Sequence, residues 1–219
     1  MTQEIASKRA FGAPAPLEFS RWLALGAVAG PLVLTLAWLV LGALRPGFSH
    51  ISQPISGLGV GPNAPWMNLA FELSGLLTLA GLVGAFRTIQ ELGVGARCIC
   101  IALLAPSPLG GAMDGVFTYQ SFFLHFVGFL IAFGTAVPGF LVAGTLLRRI
   151  PSWRRFGGWL MLAGPLTLAL TGLFLVTFNP ADAGAGRGVA GLTERVALIE
   201  LQAWFAALGW LAFRSGKTV

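Results

Sequence analysis

Residues 22–44 read WLALGAVAGPLVLTLAWLVLGAL, a run with no charged side chain. About 20 mostly apolar residues are needed to cross a ~30 Å hydrocarbon core as a helix, so this stretch is long enough to span a membrane. It follows Lys8, Arg9 and Arg21 and is too long for the core of a cleaved signal peptide, so it reads as an uncleaved anchor.

Five further stretches follow the same rule, at residues 67–89, 96–116, 123–147, 156–178 and 193–213, each bounded by charge or by Pro/Gly-rich sequence. Pro106 and Pro108 interrupt the third, which membrane helices tolerate where neighbours satisfy the freed carbonyls. The whole composition agrees: of 219 residues 56% are hydrophobic and 10% charged, with a mean hydropathy of +0.80. A soluble domain carries about 25% charged residues. The predicted fold is all-α and polytopic, six transmembrane helices in one bundle. It comprises an N-terminal tail at 1–21, a membrane domain at 22–213 and a C-terminal tail at 214–219. Residues 22–116 and 123–213 show no internal similarity, so no inverted repeat is expected.

Basic residues orient such a bundle, because cytoplasmic loops collect Lys and Arg. With the N-terminus inside, Lys8, Arg9, Arg21, Arg87, Arg97, Arg148, Arg149, Arg154, Arg155, Arg214 and Lys217 are inner, and Arg45, Arg187 and Arg195 are outer. Acids divide the other way. Glu4, Glu18 and Glu91 are inner; Glu72, Asp114, Asp182, Glu194 and Glu200 belong to the outer half. The net charge of +6 thus separates into +8 inside and −2 outside, which places both termini in the cytoplasm. It is a signal for topology and anionic lipid, and no nucleic-acid partner is expected. Twelve arginines against two lysines, with abundant Ala and Gly, point to a bacterial chain and hence to the inner (cytoplasmic) membrane.

Ionisable groups within a membrane are costly and mark functional candidates. Glu72 lies about 9 Å below the outer start of its helix, with Asn68 one turn above it, and Glu200 lies about 10 Å deep. Ser107, Gly110, Gly111 and Asp114 form a small, polar stripe at helical spacing, and Ser121, His125, Gly128 and Ala132 repeat it on the next helix. Asp114 and His125 are separated by a short loop, so their side chains can meet as an acid–base pair. Thr193, Ala197, Glu200 and Trp204 share a face of the last helix. Glu194 and Arg195 beside them, near a helix end where snorkelling is cheap, read chiefly as interfacial.

The long connection RPGFSHISQPISGLGVGPNAPW (45–66) resembles a lid or binding loop in length. Ser52 is expected to cap a short helix with Pro54 in its first turn, and Ile51, Ile55 and Leu58 to form its apolar face. Ser52, Gln53 and Ser56 read first as capping residues, with Ser56 a weaker catalytic candidate. Trp22, Trp66, Trp153 and Trp210 are placed as interfacial anchors.

Several chemistries are excluded. The only lysines are terminal, which removes a retinal Schiff base. His50 and His125 cannot form a three-His zinc site or bis-His haem ligation, and Cys98 and Cys100 have no spaced partners, so no metal or other cofactor is expected. Phosphate-loop, dinucleotide and voltage-sensor signatures are missing.

The run ISQPISGLGVGP followed by WMNLAFELSGLL resembles the bacterial six-helix membrane family catalogued as domain of unknown function 998. The matching positions are Phe48, Ile55, Ser56, Leu58 and Gly59; Asn68 and Phe71; Asp114; Leu124 and His125; Gly191 and Arg195, over roughly 30–213. The family's Asp is usually followed by Pro and a polar stretch, where this chain has Gly115–Val116–Phe117.

Three functions are compatible with these residues. The first is an outer-leaflet enzyme acting on a lipid or isoprenoid-like substrate, by acid–base hydrolysis or by protonation and cyclisation. Asp114 and His125 would be its acid–base pair and Glu72 or Glu200 its second carboxyl; Asn68, Ser52, Arg195 and Trp204 would contact substrate. The second is a proton-coupled carrier using Glu72 and Glu200, for which six helices are few and a homodimer is called for. The third is a non-catalytic partner or assembly protein that touches membrane lipids alone. A cavity holding Asp114, His125 and Glu72 within hydrogen-bond reach would favour chemistry.

Overall fold

The computed structural model describes residues 15–215. Its elements are α1 (Ala15–Ala24), α2 (Gly26–Leu44), α3 (Ala64–Thr88), α4 (Val94–Leu104), α5 (Pro106–Val116), α6 (Phe122–Leu147), α7 (Arg154–Thr177), α8 (Pro180–Gly184) and α9 (Ala190–Ser215). Short 3-10 turns at Ile55–Gly59, Tyr119–Ser121 and Pro151–Trp153 complete it, and no strand occurs among the described residues. Six helical stretches are long and apolar enough to cross a membrane: Leu17–Leu44, Ala64–Thr88, Val94–Val116, Tyr119–Leu147, Pro151–Thr177 and Ala190–Ser215. This is a multi-pass membrane protein. Each span begins a few residues before its apolar run; in the second and fifth, Pro65 and Pro151 start the first turn pre-set for helix and extend it into the flanking sequence.

Successive spans pack side by side and the last returns to the first, so the bundle closes as a ring, with α9 also touching α3 across it. One end carries the 45–63 segment and the α5–α6 and α7–α9 connections; it is called here the loop end, and the other the termini end. The third span is broken into α4 and α5 at Ala105, the residue before Pro106, which keeps αR dihedrals. Pro106 and Pro108 supply no backbone donor to the carbonyls of the preceding turn, which is the local reason for the break.

Small residues set the spacing. A Cβ on Gly81 would fall on the backbone of Ala27, and one on Gly110 on the backbone of Gly128 and Ala132. Between lipid-surrounded helices hydrophobic driving force is absent, so such backbone approach supplies the van der Waals contact that holds them. The apolar core divides accordingly. Phe86, Leu104, Phe140, Leu147, Leu160 and Leu208 belong to a large cluster, while Leu34, Trp38, Ile55, Leu58, Met67 and Phe71 form a smaller one under the 45–63 loop.

Trp22, Trp66 and Trp210 are exposed, as interfacial anchors would be, whereas Trp153 is buried. The Pro151–Trp153 turn directs the Trp153 ring inward, where it meets Phe156 edge-on at 5.9 Å. Gly81→Ala is expected to cost about 1–3 kcal/mol by overpacking, read as a lower thermal midpoint in detergent. Gly172→Ala, where a methyl meets open space, should leave the midpoint unchanged or raise it.

Candidate functional site

The 45–63 segment is tied to the first turns of α9 by four contacts. Leu192 N–H donates to the Ile51 carbonyl at 2.8 Å. Arg195 Nη1 donates to the carbonyls of His50 (2.8 Å), Gln53 (2.9 Å) and, within its own helix, Gly191 (2.7 Å). Glu194 Oε2 accepts from the backbone N–H of Ile55. Gly191 permits this, since a Cβ there would strike Gln53. Arg195 is 4% exposed, and its guanidinium carbon also lies 5.1 Å from the Trp38 ring centre and 5.7 Å from that of Phe48. Three carbonyls and two aromatic faces thus surround a charge that burial would otherwise penalise heavily.

The geometry corrects the expected cap. The 3-10 turn begins at Ile55 after Pro54, no side chain of the loop caps it, and the orphan N–H of Ile55 is satisfied by Glu194 instead. Ser52 is buried with its hydroxyl unpartnered. Ile55 and Leu58 face the bundle, but Ile51 lies outside the turn and is exposed. Ser56 is buried within the turn, and Asn68 Nδ2 reaches the Gly59 carbonyl at 3.4 Å. Arg45 secures the other side, with Nη1 donating to the carbonyls of Gly57 (2.6 Å) and Val60 (3.0 Å).

Asp114 and His125 meet. Asp114 is 9% and His125 8% exposed, and Asp114 Oδ1 lies 3.4 Å from His125 Nδ1. That nitrogen makes its hydrogen bond to the Phe117 carbonyl at 2.9 Å. A carbonyl can only accept, so Nδ1 carries the proton, and in the neutral ring Nε2 keeps the lone pair. Asp114 stands beside the same N–H, placed to stabilise an imidazolium. The Tyr119 ring lies edge-on to His125 at 6.2 Å. Gly128 permits the approach of Asp114, whose carboxylate a Cβ there would strike.

Asp114 also lines a cavity of about 60 Å³ at the centre of the bundle, together with Ser74, Thr78, Ser107 and Gln202 and a wall that includes Phe71 and Phe133. Asp114 Oδ1 and Gln202 Oε1 are both buried without a hydrogen-bond partner. The stripe Ser107, Gly111, Asp114 therefore borders the cavity while Gly110 makes the close helix contact. Ser121, expected on the matching stripe of α6, is exposed.

The other expected acids stand apart from this pair. Glu200 accepts from Thr167 Oγ1 (2.9 Å) and Trp204 Nε1 (2.6 Å), on the face of α9 that packs against α7. Thr193 on the same face meets Thr177 at 2.7 Å. Glu72 is half-buried with its stem against Gly115, and it makes no hydrogen bond among the described residues. Among the described residues no group of three His, Cys, Asp or Glu could hold a metal ion.

Over residues 28–211 the chain matches the family described as Protein of unknown function (DUF998). The chain belongs to that family. No curated protein and no solved structure matches it. In this DUF998 chain the motif residues noted in the sequence converge at the loop end. Gly191 and Arg195 hold the backbone that leads into Ile55–Gly59, Asn68 fastens Gly59, and Asp114 meets His125. Trp38 and Gln202 were not singled out by sequence, Glu194 was read as interfacial, and His50 entered only as unable to complete a metal site. The available signal was the pairing of Glu194 with Arg195 one turn inside an apolar helix, opposite a loop rich in unpaired backbone groups.

His50 packs between Trp38 (5.7 Å) and Phe48 (5.4 Å). Burial, and then the adjacent Arg195 charge, lower its pKa below the ordinary 6.5. A lowered histidine value means the folded loop prefers the neutral ring. Its contribution is present in full above about pH 6.5 and is lost as pH falls through the folded value. The protection of amides across residues 49–57, taken relative to intrinsic exchange at each pH, is therefore expected to fall below pH 6.5, and His50→Gln to flatten that dependence. Arg195→Met should raise exchange of the same amides by roughly 10- to 100-fold, from the 1.5–3 kcal/mol typical of bonds to a charged donor.

Proposed function

We propose that this protein is a membrane-embedded acid–base enzyme acting on a lipid or isoprenoid-like substrate, with Asp114 and His125 as its working pair. The observation that carries the reading is the fixed tautomer of His125. Its Nδ1–H is committed to Phe117, with Asp114 alongside, so the free Nε2 is a base. That arrangement favours hydrolysis over alkene protonation. Nε2 takes a proton from water as the water oxygen bonds to the ester carbon or phosphorus. The same proton then passes to the departing alkoxide, and Asp114 balances the imidazolium between the two transfers. Arg195, Glu194 and the loop they seat form the wall beside this chemistry.

The chain's charge distribution supports a place in the bacterial cytoplasmic membrane with the loop end outward. Arg21, Arg87, Arg97, Arg148, Arg149, Arg154, Arg155 and Arg214 are at the termini end, against Arg45, Arg187 and Arg195 at the other. A substrate reaching the site would come from the outer leaflet.

A second reading rests on a separate observation: Ser107, Ser74 and Thr78 continue the polar lining from Asp114 along the bundle axis. Such a path suits a proton-coupled carrier with Asp114 as the proton site.

Substitution separates the two. Asp114→Asn and His125→Ala should each cut turnover by about 10²- to 10⁴-fold, the usual share of a general base. In cells this is read as a changed lipid profile by mass spectrometry at equal folded yield. An unchanged profile with normal yield would sink the enzyme. Proton-coupled uptake abolished by Asp114→Asn, at an unchanged lipid profile, would instead establish the carrier.

A further inference from the structure

At the termini end, the tight connection between α6 and α7 gathers arginines that have no use in the site just described. Arg148, Arg154 and Arg155 line an open cleft of about 760 Å³, whose floor is Pro151, Gly158, Met161 and Leu162. The cleft is held by packing. Ile150 and Trp153 are buried beneath the connection, and Gly144 and Gly157 bring α6 and α7 into backbone contact. Arg148 Nη1 leans on Met161 Sδ at 3.3 Å, which holds it against the cleft wall. A Cβ on Gly158 would meet nothing within 4 Å, so the cleft is open above this residue.

The charge is uncompensated. Among the described residues the ion pairs are His125–Asp114 and Arg187–Asp182, both at the loop end. The acid near the connection, Glu91, accepts from Ser152 Oγ at 3.4 Å rather than from an arginine. The first turn of the 24-residue α7 adds the positive end of its dipole to the same place.

The surroundings say what kind of anion fits. Arg155 also borders a second cleft of about 310 Å³, walled by Trp153, Phe156, Trp159 and Leu211. Trp159 and Leu162 are more than half exposed and continue down the lipid-facing side of α7. Basic clefts at a helix connection beside an apolar groove match a phosphodiester with hydrocarbon attached. A soluble anion would gain nothing from the groove.

We propose that this cleft binds the headgroup of an anionic phospholipid, its phosphate between Arg148, Arg154 and Arg155 and its chains along Trp159 and Leu162. Guanidinium forks bind phosphate oxygens in pairs, and three of them accommodate one phosphodiester with a donor to spare. The site is about a membrane thickness from His125 and does not depend on the catalytic reading.

The test uses the full-length protein in detergent, titrated with phosphatidylglycerol or phosphatidylcholine and read by native mass spectrometry. Wild type should retain phosphatidylglycerol saturably and about tenfold more tightly than phosphatidylcholine. The variant Arg148→Gln/Arg154→Gln/Arg155→Gln should lose that preference, so that the two lipids bind about equally. Arg87→Gln/Arg97→Gln, at the same end but outside the cleft, should keep it. Leu162→Trp, which crowds the groove and leaves every charge in place, should weaken binding and stands in if the triple variant fails to fold. Equal loss in the Arg87/Arg97 control would mean diffuse surface charge and overturn the site. So would absence of preference in wild type, or displacement of the lipid by inorganic phosphate in excess.

Discussion

The guanidinium of Arg195 lies where a non-helical segment must be accommodated at the edge of a hydrocarbon phase. Backbone groups in such a segment cannot rely on water, and each one left unpaired costs several kcal/mol. Arg195 answers the carbonyls of His50 and Gln53, while Glu194, its neighbour in sequence, answers the N–H of Ile55. The two side chains do opposite tasks on the same stretch of backbone. Arg195 is thereby kept buried and Glu194 half-buried without a direct ion pair between them, and the Trp38 and Phe48 rings lie against the cation.

Small residues do for the helices what Arg195 does for the loop. Gly110 lets α5 lie against α6, Gly115 lets it lie against α3, and Gly128 makes room for the Asp114 carboxylate. If Gly110 or Gly128 acquired a side chain, Asp114 and His125 would be moved apart, because their 3.4 Å separation is set by helix spacing and not by a flexible linker. The geometry of the pair is thus a property of the bundle as a whole.

The six spans were legible because a membrane requires about 20 apolar residues and little else in the chain is that long. The Asp114–His125 meeting was legible too, since a short loop leaves two adjacent helix ends few alternatives. What periodicity could not supply was the partner of each face. Thr193, Ala197, Glu200 and Trp204 do share a face, yet that face meets Thr167 and Thr177 on α7 rather than the central cavity. Glu194 and Arg195 looked like snorkelling residues because their depth is shallow; only the fold of the 45–63 loop above them makes that depth an interior. Ser52 has the chemistry of a cap, but a glutamate some 140 residues away in sequence occupies the role.

That separation has a consequence for the order in which the molecule is made. Arg195 is 145 residues from His50 and 142 from Gln53, and both partners leave the ribosome with the first span. Until the sixth span is inserted, the loop has no acceptor for the Ile55 N–H and lacks the Arg195 donor for the His50 and Gln53 carbonyls, so that stretch must wait in water. The end of the bundle that holds Asp114 and His125 is therefore closed by the last of the six spans to be synthesised. A nascent chain carries the paired residues well before it carries the clasp that walls them in.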